Sequence, residues 1–364
     1  MLKVPLRETV KKCRVVRNKR RQLNAQVCWV PTTKLNLGAV MLKRTFLVVL
    51  LTMPLSVWAE GLDPILVNGL PQVEPLPQPV ELQPETPVFK AFATPDLTTL
   101  SRQDQLKLRS AAALVIDQEG GQLLYAKNTE AVMPIASITK LMTAMVTLDS
   151  GLSLDETITI DREDVDLLKG TSSKLKLGVS LTRREMLRLA LMASENRAAA
   201  ALARSYPGGT AAFVQAMNQK AKQLGMRDTR FLDPTGLNPG NVSTALDLAY
   251  MVNAGYHYPI IRDFTTTEQV RLAFEGVRRQ RTLAFRNSNG LVRGGEWEIG
   301  LSKTGYISEA GRCLVMQARI AAKPVIIVLL DSWGKFTRIA DANRIKRWVE
   351  ALETVTPAPP RKRV

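Results

Sequence analysis

The sequence is poor in histidine and cysteine, and this excludes several classes of site. His257 is the only histidine among 364 residues, so a zinc site with two histidines, such as HExxH, is excluded. A Ser-His-Asp triad would have to use His257. That residue lies in the turn-like stretch 256–259, and we interpret it as structural. Of three cysteines, only Cys313 lies in the segment that we expect to fold, so no internal disulfide is expected there.

Acidic residues are scarce near the N-terminus, and this scarcity produces most of the net charge. The formal charge of +17 is high enough to suggest a nucleic-acid-binding protein. Residues 1–59, however, contain 12 Lys and Arg and a single acid, Glu8, and so carry +11 of that total. The rest of the chain is only mildly basic and has no groove-reading motif. We therefore predict no nucleic-acid partner.

The apolar run at residues 45–55 is too short to cross a bilayer comfortably. It follows two basic residues and precedes Val57-Trp58-Ala59, a pattern typical of a signal peptide that is cleaved after Ala59. The alternative is a buried N-terminal helix. We predict export to the periplasm. Met41 would be a natural start, so residues 1–40 are either a long basic leader or the result of an upstream start.

Proline-rich sequence separates this N-terminal segment from the folded part. Residues 60–96 contain eight prolines, which indicates an extended, semi-rigid linker. Residues 354–364 form a short basic tail. The predicted domains are therefore 1–59, a basic extension with signal peptide; 60–96, the linker; 97–353, the folded domain; and 354–364, the tail.

The apolar pattern of residues 97–353 predicts an α+β fold. The runs 111–117 and 122–127 flank a Glu-Gly-Gly turn and predict a hairpin. Residues 182–185 form a capping box that begins a helix. The other predicted helices are 137–148, 196–206, 210–224, 244–254 and 339–353, and the other predicted strands are 282–285, 299–307, 312–320 and 324–331. Short links between the late strands favour an antiparallel sheet, built from both ends of the domain, with a helical block inserted.

The first chemical motif is Ser137-Ile-Thr-Lys140. Residues three apart share a helix face, so a neutral Lys140 amine could take the Ser137 hydroxyl proton. The lysine pKa, ordinarily about 10.4, must then be lowered by burial or by a second cation. Two further S-x-x-K matches, Ser173/Lys176 and Ser332/Lys335, do not open an apolar helix. We interpret both serines as surface residues.

Two more motifs follow further along the chain. Ser194-Glu195-Asn196 lies where a helix ends, and its Ser194 is either a proton relay or a helix cap. Asn196 could hydrogen-bond a substrate backbone. Lys303-Thr304-Gly305 lies on a strand, where the glycine would permit close approach of a ligand. The alternative for Lys303 is an exposed lysine on an edge strand.

The three motifs together resemble those of the low-molecular-mass penicillin-binding proteins, the D-alanyl-D-alanine carboxypeptidase family. The resemblance covers about residues 100–353. Four stretches are most similar to the endopeptidase branch of that family: 135–149, 192–200, 303–307 and 310–316. The resemblance implies a β-lactamase/transpeptidase-like fold in which helices cover the antiparallel sheet. It also implies a serine D,D-peptidase that acts on peptidoglycan stem peptides and cross-links, is inhibited covalently by β-lactams, and uses no cofactor and no metal.

The resemblance also implies roles for individual residues. The implied set is Ser137 as the acylated nucleophile; Lys140 as its base; Ser194 and Asn196 as the second motif; Lys303, Thr304 and Gly305 as the third; the backbone N–H groups of Ser137 and Tyr306 as the oxyanion hole; and Arg338 as a carboxylate-binding residue. Glu195 fills a position that varies in the family. Residues 354–364 are too short for the β-sandwich or membrane anchor of many carboxypeptidases, so at most loose membrane association is expected.

Three other functions stay open from the sequence. A carboxypeptidase would use the same atoms as an endopeptidase, because both present a D-Ala carbonyl. A class A β-lactamase would need an E-x-x-x-N pattern, which is absent between 197 and 302. A non-catalytic sensor or scaffold could keep the same residues for binding.

Overall fold

The alternation of apolar segments with turns divides the domain into short strands and helices. The computed structural model describes residues 106–275 and 280–355. Its strands are β1 (Ser110–Asp117), β2 (Leu123–Lys127), β3 (Met133–Pro134), β4 (Thr157–Thr159), β5 (Ser180–Thr182), β6 (Val242–Ser243), β7 (Gln269–Glu275), β8 (Gln280–Arg286), β9 (Glu298–Ile307), β10 (Gly311–Ile320) and β11 (Lys323–Ser332). Its α-helices are α1 (Lys140–Asp149), α2 (Arg183–Met192), α3 (Asn196–Arg204), α4 (Gly209–Gln223), α5 (Ala245–Tyr256), α6 (Pro259–Thr266), α7 (Gly290–Gly294) and α8 (Thr337–Val355). The predicted segments 1–59 and 60–96, and residues 356–364 of the tail, lie outside the described residues.

Strands from both ends of the domain form one antiparallel sheet in the order β2-β1-β11-β10-β9. β1 is apolar at every position from Ala111 to Ile116 because both of its faces are covered. Leu114 packs towards the helical block, whereas Val115 packs towards α8. The α+β prediction, with a sheet built from both ends and helices between, is confirmed.

The helical block is built around α1, whose residues 140–147 are all buried. Because α1 is covered on all sides, it is rich in Leu, Met, Ala and Val, and its polar residues Lys140, Thr143 and Thr147 are buried as well. The predicted capping box at the start of α2 is confirmed, since the Thr182 hydroxyl accepts from Glu185 N–H and the Glu185 carboxylate accepts from Thr182 N–H. Within the described ranges, no helix combines the length and the hydropathy needed to cross a bilayer.

Several elements differ from the predictions. The helix predicted over 137–148 begins with a 3-10 turn, Ala136–Thr139, and becomes α-helical only at Lys140. The strand predicted at 282–285 belongs to β8, which pairs with β7 in a separate hairpin. Neither β7 nor α6 was predicted, although Pro259 in the first turn of α6 is a common start signal.

The prediction that Ser332 is a surface residue is wrong. Ser332 is 1% exposed, and its hydroxyl lies 2.7 Å from that of Ser110. The buried Asp341 carboxylate of α8 accepts from the Ser110 hydroxyl and from two backbone N–H groups. This buried polar cluster holds α8 against β1 and β11, and it has no part in the cleft described below.

Candidate active site

Ser137 lies where the 3-10 turn before α1 meets the edge strand β9. Gly305 of β9 permits this approach, and Gly236 lets the loop before β6 also come close to the same turn. A Cβ on Gly305 would lie 2.8 Å from Ile135 O, and one on Gly236 would lie 2.0 Å from Ala136 O. Ala136 itself has φ +47°, an unusual conformation for alanine. The glycine of the third motif therefore permits contact between β9 and the serine turn. The sequence suggested instead that it permits the approach of a ligand.

Lys140 is fully buried, and its Nζ contacts three oxygens. It lies 2.9 Å from Ser137 Oγ, 2.7 Å from Asn196 Oδ1 and 2.6 Å from Thr235 O. The amide and carbonyl oxygens can only accept, and they match the two N–H groups of a neutral amine. The remaining lone pair then faces the Ser137 hydroxyl. The contact between residues three apart, predicted from the sequence, is present.

Burial lowers the pKa of Lys140 to about 7, because a charged ammonium loses its hydration there. The negative charges of Asp233 and Glu195 act in the opposite direction and limit the shift. Of the two causes that the sequence suggested, burial is the one that lowers this pKa. The amine is thus available as a base near neutral pH.

The Thr235 carbonyl is a contact of Lys140 that the sequence did not reveal. It is held in place by the Asp233 carboxylate, which accepts from Thr235 N–H, Gly236 N–H and the Thr235 hydroxyl. Asn241 ties the same loop to the serine turn, donating to Asp233 O at 2.8 Å and to Thr139 Oγ1 at 3.0 Å. In the sequence, the pattern Asp-Pro-Thr-Gly at 233–236 indicates a turn, but it does not indicate that the Thr235 carbonyl contacts Lys140.

Ser194 and Lys303 meet across the cleft. Lys303 Nζ donates to Ser194 Oγ at 2.9 Å and to Thr304 O at 3.0 Å. Ser194 has φ +60° and does not cap α3, whose N-cap is Glu195. The alternative role of Ser194 as a helix cap is therefore wrong. The alternative for Lys303, an exposed lysine on an edge strand, is also wrong, because its side chain is 1% exposed. Burial, together with the charges of Lys140 and Arg338, lowers the pKa of Lys303.

Asn196 links the catalytic lysine to a surface loop. Its Oδ1 accepts from Lys140, while its Nδ2 donates to Thr171 Oγ1 at 3.0 Å. The Thr171 hydroxyl in turn donates to Asp166 at 2.7 Å. Thr171 and Asp166 were not identified from the sequence, because a polar loop carries no periodicity that indicates which residues face a site.

Thr304 and Arg338 lie on the sheet side of the cleft. The Thr304 hydroxyl donates to Ser288 Oγ at 2.7 Å. Arg338, in the first turn of α8, donates from Nη1 to Gly305 O at 3.1 Å, and its buried Nε has no hydrogen-bond partner. Burial and the neighbouring Arg312 lower the pKa of Arg338. This under-satisfied cation next to a hydroxyl pair is suited to a carboxylate ligand.

These groups line one cleft of about 540 Å³. The residues that line it are Ser137, Lys169, Thr171, Ser194, Asn196, Leu237, Ser288, Thr304, Gly305, Tyr306, Ile307, Ser308 and Arg338. None of the residues in this lining is acidic. No group of three or more metal-binding side chains lies together within the described residues.

The other candidate residues lie elsewhere. Ser173 is half-buried, and its hydroxyl donates to the Glu195 carboxylate. The partner lysine of that S-x-x-K match, Lys176, is exposed. His257 is exposed at the C-terminal end of α5 and does not line the cleft.

Comparison with known proteins agrees with this geometry. The family model described as D-alanyl-D-alanine carboxypeptidase matches residues 98–334. A D-alanyl-D-alanine endopeptidase of Pseudomonas aeruginosa is 50% identical over 255 residues, covering 70% of this chain and 82% of the relative.

Two solved structures share the fold. The DD-transpeptidase of Streptomyces K15 gives a TM-score of 0.63 at 29% identity, over 67% of this chain and 98% of that one. Penicillin-binding protein D2 from Listeria monocytogenes, in an ampicillin-bound form, gives a TM-score of 0.57 at 31% identity, again over 67% and 98%. The β-lactamase/transpeptidase-like fold expected from the sequence is thereby confirmed.

Proposed function

The chain belongs to the D-alanyl-D-alanine carboxypeptidase family, and on that premise we propose that it cleaves peptidoglycan cross-links through an acyl-enzyme on Ser137. It is a serine D,D-peptidase of the penicillin-binding class. One observation carries the assignment of the site. The amine of the buried Lys140 lies 2.9 Å from Ser137 Oγ, with its other two contacts satisfied by oxygens that can only accept.

The first half of the reaction forms the ester. Neutral Lys140 takes the hydroxyl proton of Ser137 as Oγ attacks the D-Ala carbonyl of a stem peptide. The backbone N–H groups of Ser137 and Tyr306 stabilise the oxyanion that develops on that carbonyl. The close contact between Gly305 and the serine turn supports this pairing, because it brings β9, which carries Tyr306, against the turn that carries Ser137.

Ser194 relays the proton from Lys140 to the leaving amine. It donates its own proton to that amine as the bond to the D-Ala carbonyl carbon breaks, and it takes up the proton held by the Lys140 ammonium, which becomes neutral again. The Ser194 oxygen already accepts from Lys303, so its own proton is free to be donated into the cleft. Arg338 and Thr304 hold the carboxylate of the leaving residue, and Asn196 holds the backbone on the acyl side. Water then hydrolyses the ester, with Lys140 again as the base.

The endopeptidase proposal rests on the endopeptidase relative and is tested by digestion of purified peptidoglycan with the purified protein. Mass spectrometry should show cross-linked dimers falling to monomers while pentapeptides keep their terminal D-Ala. Ser137→Ala should give no products. Loss of single D-Ala residues would instead identify a carboxypeptidase, and no change in either would favour a binding role such as a sensor.

Penicillin should acylate Ser137 and remain bound. Hydrolysis of a penicilloyl ester by a class A β-lactamase requires a carboxylate that positions water, and none of the residues lining this cleft is acidic. The relative solved with ampicillin bound supports the β-lactam as a ligand of this cleft.

Location and domain limits complete the proposal. We place the mature enzyme in the periplasm, released by cleavage after Ala59, with residues 97–353 as its peptidase domain and 60–96 as a linker. N-terminal sequencing of protein from the periplasmic fraction tests this, since it should begin at Glu60. Retention of the full chain in the cytoplasm would contradict it.

A further inference from the structure

An ion pair that the proposed chemistry does not use lies at the rim of the cleft. Lys169 pairs with Glu309, and the two side chains remain 27% and 40% exposed. Lys169 lines the cleft together with Ser137, and so does Ser308, whose hydroxyl donates to the Glu309 carboxylate at 2.7 Å. The lysine comes from the loop before β5, whereas the carboxylate comes from the turn between β9 and β10.

The loop that carries Lys169 is fixed relative to the catalytic groups. The Asp166 carboxylate accepts from the N–H groups of Leu168, Lys169 and Thr171. Burial alone would raise the pKa of this carboxyl, but the hydrogen bonds together outweigh it and lower the pKa. Thr171 then accepts from Asn196, the residue that also contacts the catalytic lysine. Lys169 is therefore held by a short chain of hydrogen bonds, as expected of a residue that positions a ligand.

The position of the pair relative to a bound peptide follows from β9, an edge strand of the described sheet. The leaving residue's carboxylate is placed at Thr304 and the reacting carbonyl at Tyr306. An extended peptide along this edge then continues, on its acyl side, towards Glu309. β9 ends at Ile307 and Glu309 follows in the turn to β10, so three residues, which span at most about 11 Å, separate it from Tyr306. A long side chain on the residue before the reacting D-Ala can span that distance.

We propose that Lys169 and Glu309 form a subsite for a side chain that ends in an α-amino-acid group, with ammonium and carboxylate on one carbon. The diamino acid before D-Ala in a stem peptide carries such an end when it is not itself cross-linked. Its ammonium takes the place of Lys169 at Glu309, and its carboxylate takes the place of Glu309 at Lys169 and Ser308. This inference rests on the proposed peptidase function and adds selectivity on the acyl side.

The test uses cross-linked stem dimers that differ only in the donor residue before the acylated D-Ala: meso-diaminopimelate, lysine or norleucine. Lys169→Gln should lower kcat/KM for the diaminopimelate dimer about tenfold, a change equivalent to about 1.4 kcal/mol, and leave the lysine dimer within about twofold. Glu309→Gln should lower kcat/KM for both of the charged dimers about tenfold and leave the norleucine dimer unchanged. Lys176→Gln, an exposed lysine of the same loop, is the matched control and should change none of them.

Two results would overturn the subsite. An equal loss on all three dimers would mean that the pair only shapes the cleft. No change in either variant would make it an ordinary surface pair, which contributes little.

Failure of the proposed function gives a different result, because the unmutated protein would then cleave no dimer. The subsite would still be measurable through the rate of Ser137 acylation. A penicillin whose acyl chain ends in an α-amino acid should acylate faster than one with a plain alkyl chain of equal length. Lys169→Gln should remove that difference, and a difference that persists would overturn the subsite.

Discussion

Among single residues, Lys140 shows how burial creates a base. Its amine has no carboxylate partner, and both of its obligate acceptors are uncharged oxygens, from Asn196 and from Thr235. An ion pair would have kept the pKa high, whereas these contacts allow it to fall to about 7. Burying a cation lowers the stability of the fold. Buried groups with strongly shifted pKa values are typical of active sites.

The pH dependence of acylation follows from this pKa. Only the neutral amine can accept the proton of Ser137, so the second-order rate constant for acylation by penicillin should rise about tenfold per pH unit below about pH 7 and level off above it. Stopped-flow acylation between pH 5 and 9 measures the profile. Lys140→Arg should abolish acylation at every pH, because a guanidinium stays protonated. A rate that is unchanged down to pH 5 would contradict the role of the lysine.

The residues of the three motifs could be predicted from the sequence. Within each motif the residues are close together in the chain, and each motif lies at a recognisable helix or strand. It did not predict the Thr235 carbonyl, Thr171 or Ser288. The first acts through its backbone, which no side-chain pattern reports. The other two lie in loops whose course depends on tertiary contacts, such as the Asp166 hydrogen bonds.

At the level of elements, the site depends on one close approach between β9 and the 3-10 turn before α1. Sequence periodicity predicted a helix from Ser137 but not its first turn, because a 3-10 turn has the same apolar positions. The tighter turn and the positive φ of Ala136 orient the Ser137 hydroxyl towards the cleft. The long apolar strands of the sheet were predicted well, whereas the β7–β8 hairpin was not, since it pairs outside the main sheet.

Substitution at this contact should reduce both activity and stability. A methyl group on Gly305 would lie 2.8 Å from Ile135 O and 3.3 Å from Ser137 N, so Gly305→Ala must push β9 away from the serine turn. We expect at least a hundredfold slower acylation with a loss of about 1–3 kcal/mol in the free energy of unfolding.

The matched control is Gly294→Ala at the end of α7, where a Cβ would meet no atom within 4 Å. Acylation kinetics and denaturant unfolding should both be close to those of the unmodified protein. A Gly305→Ala enzyme with unchanged acylation would show that the approach of β9 does not set the oxyanion geometry.

In the whole molecule, the fold brings together groups that are far apart in the sequence. Lys140 comes from the helical block and Lys303 from the sheet, and Asn196 lies between them in sequence at the start of α3. No local pattern predicts that these meet. The sequence supported their meeting only through the order of the motifs and the family resemblance. The structure adds the distances: Lys140 Nζ lies 2.9 Å from Ser137 Oγ, and Lys303 Nζ lies 2.9 Å from Ser194 Oγ.

The central claim is that Ser137 forms the acyl-enzyme, and peptide mapping after exposure to penicillin tests it most directly. The account predicts one adduct per chain, located on the peptide that contains Ser137, persistent over hours and absent from Ser137→Ala. The serines of the other two S-x-x-K matches, Ser173 and Ser332, should stay unmodified. An adduct on either of them, or labelling that survives Ser137→Ala, would contradict the account.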